Sequence, residues 1–264
     1  MTVPSSPAGR QHVEQCMGTV FTIAIRDPGD WDDAITDAVS WLHHIDRLFS
    51  TYKPDSDINM IRQGQLTATT AHPLVREVLD LCTSYENETD GYFTADLPDG
   101  LDPSGLVKGW AIARASELLH EHGSHNHAVN GGGDMQLAGE AAPGQLWRIG
   151  VADPHDRTRV LTTVTGRDFA IATSGTGERG HHIVNPRQGK PAQGLASVTV
   201  IGPSIEQADV YVTAAIAMGS PATTWLDNLP DHHALIVFDD TTMLRSSKFN
   251  LLVAATDAAT NKDG

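Results

Sequence analysis

Asp209 interrupts an otherwise apolar run, Ala208, Val210, Val212, Ala214, Ala215 and Ile216, inside a stretch that predicts a helix over residues 205–218. A carboxylate in such surroundings needs a partner once it is buried, because an uncompensated charge in a dry interior is costly. Thr213 follows four residues later, so on a helix its hydroxyl and the Asp209 carboxylate lie on one face. Two arrangements satisfy that pattern. Thr213 could hydrogen-bond Asp209 within the helix, or both oxygens could face a hard cation such as Mg²⁺, which takes oxygen ligands and is often shared with a substrate phosphate.

The rest of the chain alternates helix-like and strand-like periods. Residues 19–26 alternate through Phe21, Ile23 and Ile25 and close on Asp27-Pro-Gly-Asp30. Ala34, Ile35, Ala38, Val39, Trp41, Leu42, Ile45, Leu48 and Phe49 recur at three and four residues, predicting an amphipathic helix with a wide apolar face. His43 and His44 are adjacent on it, cannot share a face, and read as structural or solvated. A second helix follows Pro73 and stops before Gly91; a third is expected from near Gly105 to Gly123, behind the N-terminal signal Asp102-Pro-Ser104. Short strands are expected at 127–130, 147–152, 160–164, 169–173, 197–201 and 234–238. Strands gathered in the second half and helices in the first predict an α+β fold with two sheet-containing halves. Residues 1–264 are expected to form one domain, with 1–12 and 255–264 as flexible ends.

A formal net charge of -15 argues against a nucleic-acid partner or an anionic membrane surface, so any bound phosphate must be held locally. Cys16 and Cys82 are too few and too far apart for a disulfide framework or zinc cluster, and read as buried, unreactive thiols in a reducing compartment. No apolar stretch approaches about 18 residues, and no basic head precedes an apolar run near the first residue, so a soluble cytoplasmic protein without membrane insertion is expected.

Three further places suit phosphate or proton chemistry. The start of the third helix offers free N–H groups and a positive dipole end, with Lys108 adding charge; alternatively Ser104 simply caps and Lys108 points to water. Asn130-Gly-Gly-Gly-Asp134 follows a strand, and its glycines allow close approach of a flat ring or phosphate, with Asp134 free to hydrogen-bond. It has neither the spacing of a dinucleotide fingerprint nor the Lys-Ser/Thr of a P-loop. Finally, residues 173–191 combine small, flexible and proton-transferring side chains and read as an active-site loop. There His181 and His182 follow Gly180, either as exposed loop histidines or with one imidazole as a base near neutral pH.

In order along the chain, Met17-Gly-Thr19, Phe49-Ser-Thr-Tyr-Lys-Pro-Asp-Ser56, Asp90-Gly-Tyr-Phe93, Asp102-Pro-Ser-Gly-Leu-Val-Lys-Gly-Trp-Ala111, Asn130-Gly-Gly-Gly-Asp134, Thr173-Ser-Gly175, His182-Ile-Val-Asn-Pro186 and Ala208-Asp209 with Thr213 resemble the ApbE-type flavin transferases, FAD:protein FMN transferases. The resemblance spans most of the chain. It implies an α+β domain with a flavin-binding cleft between two halves, binding of FAD with Mg²⁺, and transfer of FMN from FAD to a Ser or Thr hydroxyl of a target protein with release of AMP. Asp209 and Thr213 are implied as Mg²⁺ ligands, with backbone oxygens near Gly105 and Glu206 as further ones. Asp102 and Lys108 are implied FAD contacts, and Met17, Tyr52, Phe93, Thr94 and Ala95 line the nucleotide. Gly132, Asp134, Thr173, Ser174 and Gly175, which fall in matching segments, are implied FAD-binding residues, and His181 is a further implied FAD contact. His182 matches the histidine of the family's His-Ile-Ile-Asp-Pro motif and is the implied base for the acceptor hydroxyl, with Lys108 and Asp209 completing the catalytic set. The chain departs from the family at Asn185, where Asp is usual, and at Thr94-Ala95, where many members carry Asp and an apolar residue. An Mg²⁺-dependent FAD pyrophosphatase giving FMN and AMP fits the same motifs, as does a non-catalytic FAD-binding protein.

Overall fold

In the computed structural model, which describes residues 9–175 and 184–249, the chain opens on a hairpin of strands β1 (Arg10–Cys16) and β2 (Thr19–Ile25). Met17 and Gly18 turn it with positive φ, 50° and 69°, the backbone hand that matches the twist of two-residue hairpins. Helices α1 (Asp32–Phe49), α2 (Asp57–Arg62) and α3 (Pro73–Glu88) follow, then the short pair β3 (Asp96–Leu97) and β4 (Gly100–Leu101), and helix α4 (Ser104–Glu121). Next come β5 (His127–Gly131), β6 (Asp134–Ala138), the hairpin β7 (Trp147–Ala152) and β8 (Val160–Gly166), and β9 (Phe169–Gly175). The last part holds β10 (Val184–Asn185), β11 (Lys190–Pro191), β12 (Leu195–Gly202), α5 (Ile205–Met218), α6 (Ala222–Asp227), β13 (His233–Phe238) and β14 (Met243–Arg245).

Eight of these strands form one antiparallel sheet in the order β1-β2-β5-β6-β9-β12-β13-β14. The fold is α+β, as expected. Its two strand-bearing halves, β1-β2-β5-β6 and β9-β12-β13-β14, are joined by the β6–β9 pairing into a continuous sheet. Alternation along the strands decides what each face covers. Ala170, Ala172, Val198, Val200 and Ile236 belong to the main core with the helices, whereas Phe169, Ile171, Ile201 and Leu235 pack with Trp147, Val151 and Val164 of the β7–β8 hairpin. Every residue of β12 is buried, because it lies inside the sheet with both faces covered.

Two elements near the site escape the periodic reading. Strand β1 takes in Arg10 to His12, which were expected in a flexible end. Its side facing α1 is polar: His43 bonds Glu14 Oε1 at 3.0 Å and stands 3.7 Å from Cys16 Sγ, so that histidine has a structural role. Strand β6 is short and mixed, yet it is the seam strand of the sheet. Both cysteines are free and buried, and burial pushes the thiols up, to about 11 for Cys16 and about 12 for Cys82. Among the described residues no helix is long and apolar enough to cross a membrane.

Candidate functional site

Helices α4 and α5 pack antiparallel, with glycines of one against oxygen-bearing residues of the other. A methyl on Gly109 would lie 2.8 Å from Asp209 Cβ and 2.7 Å from the Ile205 carbonyl oxygen. One turn earlier on α4, a methyl on Gly105 would lie 3.8 Å from the Thr213 hydroxyl oxygen and 3.2 Å from Phe93 Cε2. The spacing Gly105-x-x-x-Gly109 therefore meets Asp209-x-x-x-Thr213 in register, and the absent side chains on α4 let the two backbones approach. Asp209 is 2% exposed. Its Oδ2 accepts from the Gly109 backbone N–H at 3.0 Å, and its Oδ1 stands 3.2 Å from Lys108 Nζ.

Thr213 is thus not the partner of Asp209; the carboxylate is satisfied from α4. Among the described residues no hydrogen bond reaches the Thr213 side chain. Lys108 does not point freely to water either. Its ammonium ion-pairs with Asp134 Oδ2 as well as with Asp209. Asp134, the first residue of β6, is buried and takes the Thr173 N–H on Oδ1 at 2.8 Å, across the seam with β9. Two residues on, Gln136 fixes the start of α5: its Oε1 accepts from Ile205 N at 3.0 Å. Gln136 drew no attention in the sequence, because an isolated glutamine on a short strand carries no periodic signal.

Two carboxylates around one ammonium leave a negative charge in excess. Burial raises the Asp209 carboxyl above the ordinary carboxylate range, with Lys108 opposing the shift and Asp134 adding to it. Burial works against the Lys108 ammonium, yet Asp209 and Asp134 hold it above the ordinary lysine range. An oxygen-only donor set with surplus negative charge suits a hard divalent cation, and Asp209 with Thr213 would hold it. Among the described residues no three His, Cys, Asp or Glu side chains are grouped as a metal site, so such an ion would draw on hydroxyl, backbone or substrate oxygens as well.

The other predicted positions divide between neighbours of this cluster and outliers. Phe93 is buried against Gly105 and edge-on to Tyr85. Thr94 Oγ1 accepts from Asp96 N, and the Ala95 carbonyl from Asp102 N, so this segment runs beside the start of α4. Asp102, one residue before the N-cap Pro103, takes Ser104 N on Oδ1 at 3.0 Å; Ser104 is the first helical residue and does not cap. The Met17 turn abuts the glycine-rich one, because a methyl on Gly132 would lie 2.7 Å from Thr19 Oγ1. Ser174 and Gly175 are strand residues of β9 paired with Val198 and Ser197, and not loop. Glu206 accepts from Tyr85 Oη at 2.8 Å, and burial raises its carboxyl pKa. Tyr52 is 92% exposed, and among the described residues no hydrogen bond or ring contact joins it to Lys108 and its carboxylates. His181 and His182 lie outside the described residues.

The sequence matches the ApbE family model over residues 17–98 and 97–236. The chain belongs to the ApbE family. Its curated relatives include an FAD:protein FMN transferase of Vibrio cholerae, 34% identical over 47% of this chain and 40% of that protein. Another, from Escherichia coli, is 26% identical over 78% of this chain and 60% of that protein. The match therefore spans less than two thirds of the length of those relatives. Among solved structures, the ApbE protein of Thermotoga maritima superposes with a TM-score of 0.84 at 22% identity, covering 94% of this chain and all of that one. The flavin transferase ApbE from Vibrio cholerae gives 0.80, also at 22% identity, over 93% and 99%. Those likenesses show that this ApbE-family chain has the family's fold.

Proposed function

We propose that this chain transfers FMN from FAD to a Ser or Thr hydroxyl of a target protein, releasing AMP, with Mg²⁺ bound at Asp209 and Thr213. The observation that carries the reading is the Lys108 ammonium held between Asp134 and Asp209, with Asp209 one helical turn before Thr213, whose hydroxyl has no protein partner among the described residues. The curated relatives named FAD:protein FMN transferase support the same activity.

In this reading the acceptor oxygen bonds to the phosphorus on the FMN side of the FAD diphosphate. The bond from that phosphorus to the bridging oxygen breaks, and AMP leaves with the electron pair. His182 takes the hydroxyl proton, a contribution typically of about 10²- to 10⁴-fold. Lys108 holds a phosphate oxygen and Asp102 and the glycine-rich turn at Gly132 border the nucleotide, so that positioning and electrostatics, which dominate phosphoryl transfer, fall to this chain's own residues. Asp209 and Thr213, with backbone oxygens near Gly105 and Glu206, would hold Mg²⁺, which would neutralise diphosphate charge when bound.

The test is incubation of the chain with FAD, Mg²⁺ and a threonine-containing acceptor, followed by intact-mass measurement of the acceptor and quantification of AMP. Gain of FMN by the acceptor in step with AMP release, abolished by a chelator, is expected. Release of free FMN and AMP with an unmodified acceptor would make the chain an FAD pyrophosphatase and overturn the proposal.

A further inference from the structure

Asp134 and Asp209 are each anchored by one oxygen to a separate backbone N–H, Thr173 for Asp134 and Gly109 for Asp209. Both side chains are almost fully buried, whereas Lys108 reaches them on a flexible four-carbon stem and keeps 31% side-chain exposure. The carboxylates are therefore the fixed members of the cluster and the lysine is the movable one. Lys108 also touches Asp209 through Oδ1, the oxygen that Gly109 does not use. That is the oxygen a cation would take.

The geometry points to Lys108 as an exchangeable counter-ion: its ammonium neutralises Asp209 while no divalent cation is bound, and withdraws onto Asp134 when a cation occupies Asp209 Oδ1. The inference rests on the Mg²⁺ reading above and deepens it by assigning Asp134 as a positioning residue, the receiver of the displaced lysine. A monovalent and a divalent cation cannot share one oxygen in surroundings this dry without strong repulsion. Asp134 already ion-pairs with the same ammonium, so the exchange needs only a shift of the lysine tip. After the exchange the ammonium stands next to the ion and not on its ligand, where it can meet a phosphate oxygen.

Binding of Mn²⁺ alone, without FAD, to the full chain tests this, with free Mn²⁺ counted by electron paramagnetic resonance. Lys108→Met is expected to tighten Mn²⁺ binding at least about tenfold, since it removes the competitor. Asp134→Asn is expected to weaken binding about tenfold while Lys108 is present, and by less than about threefold in the Lys108→Met background; such a difference is the signature of coupled residues in a double-mutant cycle. Equal losses in the two backgrounds would overturn the exchange, as would unchanged affinity of Lys108→Met. Asp209→Asn separates the two layers of inference. If that variant binds Mn²⁺ like the parent, the Mg²⁺ reading itself fails; if binding needs Asp209 but the cycle is additive, only the exchange fails. Because Lys108→Met leaves two buried carboxylates without their cation and could unfold, a crystal structure of the unaltered chain soaked in Mn²⁺ gives an independent readout. Lys108 bonded to Asp134 alone is expected, and Lys108 still on Asp209 Oδ1 beside a bound ion would refute it.

Discussion

Gly109 and Asp209 meet where α4 crosses α5: the glycine N–H donates to Asp209 Oδ2 at 3.0 Å, and a methyl on the glycine would sit 2.8 Å from the aspartate Cβ. The same methyl would come within 2.7 Å of the Ile205 carbonyl oxygen, which is backbone and cannot rotate away. Gly109→Ala must therefore push the helices apart, at a cost of about 1–3 kcal/mol as for other overpacked cores. The Asp209 carboxylate moves with α5. Urea denaturation is expected to show the loss of stability, and Mn²⁺ titration a weaker site; a variant as stable as the parent would mean that the helix contact is looser than described.

Asp209 and Thr213 should separate stability from function. Thr213 has no side-chain hydrogen bond among the described residues, so Thr213→Val is expected to change stability by no more than about 0.5 kcal/mol. If Thr213 is a Mg²⁺ ligand as proposed, losing an interaction worth about 1.4 kcal/mol would weaken Mg²⁺ binding about tenfold, a deficit that added Mg²⁺ restores. Asp209→Ala is expected to abolish flavin transfer at any Mg²⁺ concentration while the fold persists. Mass analysis of the acceptor across a Mg²⁺ series checks both, and undiminished FMN addition by Asp209→Ala would remove it from the mechanism.

His182→Ala addresses the proton. If this imidazole accepts it from the acceptor hydroxyl, the variant keeps FAD affinity and loses transfer by about 10²- to 10⁴-fold. Equilibrium dialysis against FAD alongside single-turnover transfer separates the two quantities, and normal transfer would take His182 out of the reaction.

Long apolar periods made α1, α3, α4 and α5 legible in the sequence, because each buries one face or, for α5, nearly its whole circumference. Strand β1 was not legible: it is an edge strand whose inner side is His12, Glu14 and Cys16. Asp134, which closes the glycine-rich segment in sequence, begins the strand that joins the two halves of the sheet, and no apolar alternation announces that strand. The pairing of Asp209 with Gly109 and Lys108 depends on two helices a hundred residues apart in sequence meeting in register, which no local period encodes. One trace did exist: glycines four apart on one helix matched an Asp and a Thr four apart on another.

Asn185, where the family resemblance implies Asp, meets the local need without a charge. Its buried Oδ1 accepts from Arg187 N at 3.0 Å and Gln188 N at 3.2 Å, closing a turn that needs an acceptor and not a charge. Asn185→Asp is expected to stay within about 0.5 kcal/mol of the parent, and Asn185→Ala to lose about 1 kcal/mol with the two hydrogen bonds. Thermal denaturation of the pair decides, and equal stability of the two variants would deny the turn its acceptor.

His127 carries a pH dependence that can be isolated. It is fully buried at the start of β5, with Ser116 Oγ at 2.8 Å from Nε2 and Ser124 Oγ at 3.0 Å from Nδ1. Burial, helped by the nearby His120, depresses its pKa to about 4. Above pH 6.5, the ordinary histidine value, both folded and unfolded chains leave the ring neutral and it adds no pH dependence. As pH falls below 6.5 the unfolded chain takes up a proton that the folded chain refuses until about 4, so stability drops across that window. At about 1.4 kcal/mol per pH unit, the loss between pH 6.5 and 5 is about 2 kcal/mol. His127→Gln, which keeps a polar group between the two serines and cannot be protonated, is expected to lack that component. Urea midpoints of parent and variant at pH 7 and pH 5 give the comparison; the shared titration of the carboxylates cancels in the difference, and parallel behaviour of the two proteins would show that His127 is protonated in the folded chain as readily as in the unfolded one.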